Sequence, residues 1–179
     1  MLLKIVFLFF SLQMASQSYL DYRKVEAFIV ENKLDSAKYY LNTMQDTVDA
    51  KLLKKLVYKN QLTYKDFYRF ITNLSKRDTS NYLEILEFIN REVVDPLNPS
   101  KINTNFFNIK WILITKLRDD AHLKEANLEQ KKLENYISQF SEEDENFLWA
   151  NTKLKTHTVV MYFIEQDIKK GKKLNLDCI

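Results

Sequence analysis

Glycine is almost absent from this chain. Among 179 residues there is one glycine, Gly171, and there are two prolines, Pro96 and Pro99. Hairpin turns between strands and loops that hold phosphate groups need residues that adopt positive φ, which glycine does without steric cost. Average usage is about 7% glycine and about 5% proline. The depletion predicts an all-α fold joined by short polar turns. It also excludes nucleotide-binding motifs of the G-x-G-x-x-G or G-x-x-x-x-G-K type.

The N-terminus has the pattern of a secretory signal peptide. Lys4 precedes an apolar run over residues 5–12, and small residues follow it. The run is shorter than the roughly 20 residues of a membrane anchor. Serine occupies positions 16 and 18, so we expect cleavage after Ser18 and removal of residues 1–18. A buried N-terminal helix of a cytosolic protein is the alternative.

The remaining composition bounds the mature protein. No later segment is apolar for long enough to cross a bilayer, so we expect no stable membrane span after signal removal. Because the signal peptide directs export, the expected location is the periplasm or the cell surface. The lone cysteine, Cys178, cannot form an internal disulfide, and the fold must depend on apolar packing. The net charge of +3 does not require a nucleic-acid partner, and none is expected. No cofactor is expected either.

Two prolines divide the chain at Asp95–Ser100. We expect N-terminal helical hairpins over 19–94, a linker over 95–103 and longer hairpins over 104–179. The two hairpin regions form either one continuous α domain or the start of a longer chain. The pattern predicts about eight helices after the signal peptide, covering roughly 19–32, 34–45, 48–60, 64–75, 81–94, 104–117, 122–140 and 141–170.

Polar residues mark the expected helix starts in place of glycine. Asp, Asn, Ser and Thr accept hydrogen bonds from the unpaired N–H groups of a first helical turn. Ser141 followed by Asp144 has capping-box spacing, which predicts that the last helix begins there and ends near Gly171. An apolar stripe predicts close packing of that helix; its members are Phe147, Ala150, Leu154, His157, Met161, Ile164 and Ile168.

Two segments share a helix–turn–helix pattern. Ala37 follows Leu34 by three positions, and Ala126 follows Leu123 in the same way. In each, an apolar residue stands seven positions after the alanine. This spacing predicts an antiparallel helix pair with a small residue where the helices cross, and such pairs bury their apolar faces by stacking.

The same segments resemble the tetratricopeptide family. Phe28–Leu41 and Arg118–Ala126, with Trp111 upstream, carry the resemblance over about a third of the chain. Val25 departs from the family's small residue, and the units lack a regular period, so the repeats are degenerate. The resemblance implies a right-handed array of stacked hairpins that binds other proteins without catalysis. Some similar exported bacterial proteins continue into a membrane helix and a signalling domain.

Two groups of residues are candidate binding surfaces. Stacked hairpins create a concave face, and the aromatic residues expected to line it are Tyr22, Phe28, Tyr39 and Tyr40. These side chains suit a hydrophobic core equally well. A basic patch, interleaved with tyrosines, is formed by Lys51, Lys54, Lys55, Lys59 and Arg69. It suits an acidic partner or an anionic surface, and a solvated helix face is the simpler interpretation.

Residues suited to catalysis or metal binding are scarce. His122 stands three positions from Asp119 and from Glu125, but acids at a helix start need no metal to explain them. His157 lies on the apolar stripe and is more typical of a hydrogen-bonded core histidine. No nucleophile motif or paired-cysteine site accompanies them. The sequence therefore predicts neither a metal site nor an enzyme.

The combined features favour an exported, non-catalytic helical-repeat module that mediates protein–protein interaction. A sensory N-terminal region of a bacterial signalling or regulatory protein, with an output domain beyond Ile179, is one alternative. A basic module that binds an anionic surface is another.

Overall fold

The computed structural model describes residues 20–44, 47–76, 81–96, 100–156, 158–159 and 166. These residues form helices and contain no strand, which confirms the all-α prediction. The helices are α1 (20–30), α2 (Leu34–Thr43), α3 (Val48–Tyr58), α4 (Tyr64–Ser75), α5 (Tyr82–Glu92), α6 (Thr104–Asp119), α7 (Leu123–Ile137) and α8, described over 147–156 and 158–159.

Polar side chains cap four of the helix starts, as the sequence predicts. Thr47 and Asn103 accept hydrogen bonds from N–H groups in the first turns of α3 and α6, each at 3.1 Å. Asn81 does the same for α5. At α4, the Thr63 hydroxyl and the Asp66 carboxylate form a reciprocal capping box. Each cap satisfies a backbone donor that the helix leaves unpaired.

Several turns use left-handed backbone without glycine. The φ angle is positive at Asn32, Lys59, Gln61 and Ala121, with values between 51° and 63°. Asparagine tolerates this region because its short polar side chain bonds locally, whereas other side chains strain the backbone by about 1 kcal/mol. The turns of this chain therefore use the left-handed backbone conformation that glycine normally adopts, at residues that adopt it less readily.

The two predicted repeat junctions have the same turn. Between α1 and α2, the N–H of Lys33 donates to the Phe28 carbonyl at 2.7 Å. Between α6 and α7, the N–H of His122 donates to the Leu117 carbonyl, also at 2.7 Å. In each turn the left-handed residue stands just before this donor, which is the Schellman arrangement. The repeated sequence pattern thus corresponds to a repeated local structure.

Small residues of the repeat lie in the core. Ala37 of α2 and Ala126 of α7 are fully buried. Alanine allows a neighbouring helix to approach closely where a larger side chain would hold it away. Contacts run between α2 and α3, between α4 and α6, and from α6 to α5 and α7.

Helix α6 is central because it packs against helices on several sides. Its buried residues cover about half of its circumference: Phe106, Phe107, Ile109, Lys110, Leu113, Ile114, Leu117 and Arg118. The other residues over 104–118 are partly buried, so this stretch of the helix has no fully exposed face. Side chains from before and after the linker belong to one core cluster.

Hydrogen bonds hold the linker at both ends. The Tyr64 hydroxyl donates to the Val94 carbonyl at 2.7 Å. The N–H of Asn103 donates to the Tyr136 hydroxyl at 2.9 Å. Helices α4 and α7 therefore position the two sides of the proline-containing segment.

The predicted start of α8 is wrong. Ser141 does not begin the helix; turns occupy residues 142–146, and helical structure begins at residue 147. The Asp144 carboxylate accepts from the N–H groups of Asn146 and Ile102, each at 2.8 Å. Helix α7 correspondingly ends at Ile137, three residues before the predicted position. The other described helix bounds lie within two residues of prediction.

Some predictions concern residues outside the described ranges. These are the signal peptide, His157, the helix end at Gly171 and Cys178. The described start of the apolar stripe faces the core, where Ala150 is fully buried. Among the described residues, no helix has the length and apolar character needed to cross a membrane.

Candidate interaction surfaces

Three of the four predicted partner-binding aromatics lie together at the α1–α2 hairpin. The ring centroids of Phe28 and Tyr40 are 5.7 Å apart, and those of Tyr39 and Tyr40 are 5.4 Å apart in an edge-to-face arrangement. The Lys24 ammonium lies 5.2 Å from the Tyr40 centroid. Tyr39 is 68% exposed, whereas Phe28 and Tyr40 are partly buried against the core. The surface is therefore an exposed ring supported by two ordered rings.

Tyr22 belongs to a different part of the molecule. It stands two residues before Lys24, so its side chain is rotated by about 200° around α1. Its hydroxyl lies beside the carboxylate of Glu26, which is completely buried, and the Asn73 side chain. Burial, and then the charge of Glu26, raises the pKa of Tyr22. The structure thus places this tyrosine at an internal polar contact between α1 and α4.

Ion pairs involve Lys55, Lys59 and Arg69 of the predicted basic patch. The pairs are Lys55 with Asp66 at 3.2 Å, Lys59 with Glu92 at 3.1 Å and Arg69 with Asp49 at 2.8 Å. Lys51 is exposed on α3, and Lys54 is partly buried. The acidic partners offset much of the positive charge locally. Burial opposes ionisation of Asp66, but hydrogen bonds from Thr63 and Lys55 outweigh it and lower the pKa of Asp66.

An ion pair is buried between α6 and α7. Lys110 and Glu129 are 4% and 1% exposed, and their charged groups lie 3.0 Å apart. Lys132 also donates to the Glu129 carboxylate. Burial acts to raise the pKa of Glu129, but the Lys132 hydrogen bond and the Lys110 charge outweigh it and hold that pKa below its ordinary range.

Gln130 connects three helices through a second polar contact. Arg118 of α6 donates to its side-chain oxygen. Its amide nitrogen donates to Glu134 at 2.7 Å and to Thr158 of α8 at 2.8 Å. These bonds satisfy polar groups that would otherwise be costly to bury. The arrangement has a structural explanation and needs no ligand.

An open groove of about 630 Å³ lies between α7 and α8. Ile137, Phe147 and Leu154 provide much of its apolar wall, and Glu134 and Lys155 lie at its edges. No described feature selects a particular occupant for it.

A cluster of aromatic rings surrounds the Lys153 ammonium at the α6–α8 contact. Phe107 and Trp111 of α6 are nearly parallel, with centroids 6.1 Å apart, and Trp149 of α8 lies 4.8 Å from Phe107. The Lys153 nitrogen is 5.0 Å from the Trp111 centroid, 5.2 Å from Trp149 and 5.7 Å from Phe107. We call Phe107, Trp111, Trp149 and Lys153 the aromatic box.

The Lys153 ammonium has little conventional hydrogen bonding in this box. Its one described acceptor is the Asn108 side-chain oxygen, at 3.4 Å. Burial lowers the pKa of Lys153. An ammonium that has lost part of its hydration is stabilised here chiefly by ring faces, which attract cations electrostatically.

Sequence reasoning missed the box. The sequence patterns place Trp111 upstream of a repeat-like segment and leave Trp149 and Lys153 beside the predicted α8 stripe. The available signal was two pairs at a spacing of four residues, Phe107 with Trp111 and Trp149 with Lys153, which share a helix face. That signal cannot show that the two helices meet.

The residues around His122 do not form a metal centre. His122 precedes α7, Asp119 ends α6 and Glu125 lies in the first turn of α7. Within the described part of the chain, no group of three or more histidine, cysteine, aspartate or glutamate side chains is arranged to hold a metal ion.

Comparisons with known proteins gave no relative. No family model matches the chain, and neither the curated proteins nor the solved structures provide a significant match.

Proposed function

We propose that this protein is an exported, non-catalytic helical module that binds a protein or peptide partner. The observation that carries the proposal is the α1–α2 surface, where Tyr39 exposes 68% of its area above the supporting rings of Phe28 and Tyr40. Tyrosine gives a large contact area at low conformational cost, and it is enriched at binding interfaces.

The chemistry of this surface indicates the partner segment that it would accept. Tyr39 and Tyr40 offer ring faces and edges for an apolar side chain. Lys24, over the Tyr40 ring, adds a positive charge at the margin. A peptide with an apolar residue next to an acidic residue matches both features.

The repeated turn supports the interpretation of the chain as degenerate tetratricopeptide-like hairpins. The α1–α2 and α6–α7 junctions share their hydrogen bonds and a buried alanine in the second helix. We propose that the hairpins stack as an irregular right-handed array. Stacked hairpins commonly bind proteins through exposed surfaces of this kind.

Capture from cell-envelope extracts tests the binding surface. We expect Tyr39→Ala to reduce recovery of the specific partner at least about tenfold, as for removal of an interface hot spot. Tyr58→Ala is the matched control, since Tyr58 is also exposed, at 52%, but lies on α3. Capture that survives replacement of both Tyr39 and Tyr40 would overturn the site.

Cell fractionation tests the proposed export. The mature protein should be found in the envelope or outside the cell, and N-terminal sequencing should begin at Tyr19. Leu8→Arg interrupts the apolar run and should leave an uncleaved protein in the cytoplasm. A wild-type protein that keeps its first 18 residues and remains in the cytoplasm contradicts export.

A further inference from the structure

We propose that the aromatic box of α6 and α8 binds a methylated ammonium group, and that Lys153 occupies the site when no ligand is present. This site is separate from the α1–α2 surface and extends the proposed function. The ligand class is a cation whose nitrogen carries methyl groups in place of most or all of its hydrogens.

The arrangement of the rings supports this assignment. Phe107, Trp111 and Trp149 place their centroids within 6 Å of one point, the Lys153 nitrogen. That distance is the range in which a ring face attracts a cation, and tryptophan is the most effective ring. Trp149 is 41% exposed, so one wall of the box is open to solvent.

Lysine is an imperfect occupant of such a site. Its ammonium has three N–H donors, whereas the box offers one described acceptor, Asn108, at the long distance of 3.4 Å. The ring faces accept hydrogen bonds poorly. A methylated ammonium keeps the positive charge, has fewer donors to satisfy and loses less hydration on entry. It therefore fits the chemistry of the rings better than the residue that occupies them.

The Lys153 ammonium competes with any ligand for the aromatic box. A ligand must first displace the ammonium, so its apparent affinity is reduced by the fraction of molecules in which the box is filled. The flexible four-carbon stem lets the ammonium move into solvent without movement of the helix. Removal of the ammonium should therefore strengthen binding.

Intrinsic fluorescence gives a direct measurement because both tryptophans of the chain, Trp111 and Trp149, belong to the box. Tetramethylammonium chloride should produce a saturable change in emission. Sodium chloride at equal ionic strength and 3,3-dimethylbutan-1-ol, the uncharged analogue of choline, should not. This comparison separates attraction to the charge from apolar contact.

Substitutions test the role of each part. Lys153→Met keeps the apolar stem and should tighten tetramethylammonium binding about tenfold. Lys155→Met, which removes an exposed lysine of the same helix, should leave it unchanged. Trp149→Leu keeps an apolar side chain but removes one ring, and it should abolish the response that Trp111 otherwise reports. Circular dichroism establishes that each variant keeps its helices.

Two further titrations identify the source of the cation. Choline represents free small molecules, and a short peptide containing trimethyllysine represents a modified protein. Tighter binding of either probe assigns the source. No saturable response in Lys153→Met up to about 100 mM tetramethylammonium would overturn the proposal, as would an equal response to the uncharged analogue. An unchanged affinity in Lys153→Met would overturn the role of Lys153.

Discussion

Ala121 shows what the near absence of glycine requires of individual residues. It has a φ angle of 63° at the turn between α6 and α7, where its methyl group crowds the adjacent backbone. Asn32 occupies the equivalent place between α1 and α2 but is better suited to it. The same turn therefore imposes different strain at its two occurrences.

Replacement of Ala121 by glycine should stabilise the protein. We expect Ala121→Gly to raise the free energy of unfolding by about 1 kcal/mol, because relief of the left-handed strain exceeds the added entropy of the unfolded chain. Urea denaturation measures this change. Ala27→Gly, at an exposed position within α1, is the control and should lower stability by about 1 kcal/mol. A loss of stability in both variants would contradict the strain at Ala121.

At the scale of helices, the α6–α7 contact combines apolar packing with a buried charge pair. Lys110 and Glu129 are both nearly inaccessible to water and lie 3.0 Å apart. Removal of one partner leaves the other charge buried without compensation, which is more costly than the pair is favourable. The pair therefore makes the contact between these helices sensitive to single substitutions.

Neutralisation of Glu129 should weaken the α6–α7 contact. We expect Glu129→Gln to lower the free energy of unfolding at pH 7 by about 3 kcal/mol. The double variant Lys110→Met with Glu129→Leu should recover most of the loss, because neither charge remains at the pair. Chemical denaturation measures both changes. Similar destabilisation by the single and double variants would indicate lost packing instead of an unpaired charge.

The pH dependence of this pair has a defined sign. The folded state holds the pKa of Glu129 below its ordinary value of 4.5. Its stabilising contribution is therefore present above about pH 4.5 and is lost as the pH falls through the lower folded-state pKa. Wild-type stability should decline more steeply than that of Glu129→Gln in this acidic range. Parallel declines would contradict the assignment.

Sequence patterns predicted most helix starts because their causes are local. Thr63 and Asp66 satisfy each other's backbone donors within one turn, and that spacing can be recognised in the sequence. Ser141 has a similar spacing to Asp144, but Asp144 also bonds the N–H of Ile102, which is 42 residues away. A contact of that separation leaves no local pattern, and the predicted start of α8 failed for this reason.

Candidate sites were less predictable than helices because they depend on contacts between helices. The proximity of Phe28, Tyr39 and Tyr40 follows from one hairpin and could be anticipated. Tyr22 has the same chemical character, but its place on the other side of α1 directs it inward. The aromatic box requires α6 to meet α8, and no spacing within either helix specifies that contact.

Across the whole molecule, α6 joins the parts of the chain on either side of the linker. It packs against α4 and α5 from the N-terminal side and against α7 from the C-terminal side. Its fully buried Leu113 and Ile114 belong to the common core cluster. Loss of α6 packing should therefore affect both sides together.

Unfolding should be a single cooperative transition. Far-ultraviolet circular dichroism reports helices throughout the chain, whereas both tryptophans, at 111 and 149, report only the part after the linker. We expect the two signals to give the same urea midpoint. Leu113→Ala should lower both midpoints together, with a loss of about 2–5 kcal/mol. Separate midpoints would show that the two sides of the linker unfold independently.

The central place of α6 also sets an order of events during synthesis. Helices α4 and α5 are complete by residue 92, but their shared partner is complete only at residue 119. At translation rates of about 5–20 residues per second, the interval between these two points of synthesis lasts roughly one to five seconds. During this interval, the apolar faces of α4 and α5 are not yet covered by α6. The nascent chain therefore exposes these faces for long enough that a chaperone can engage them before the core closes.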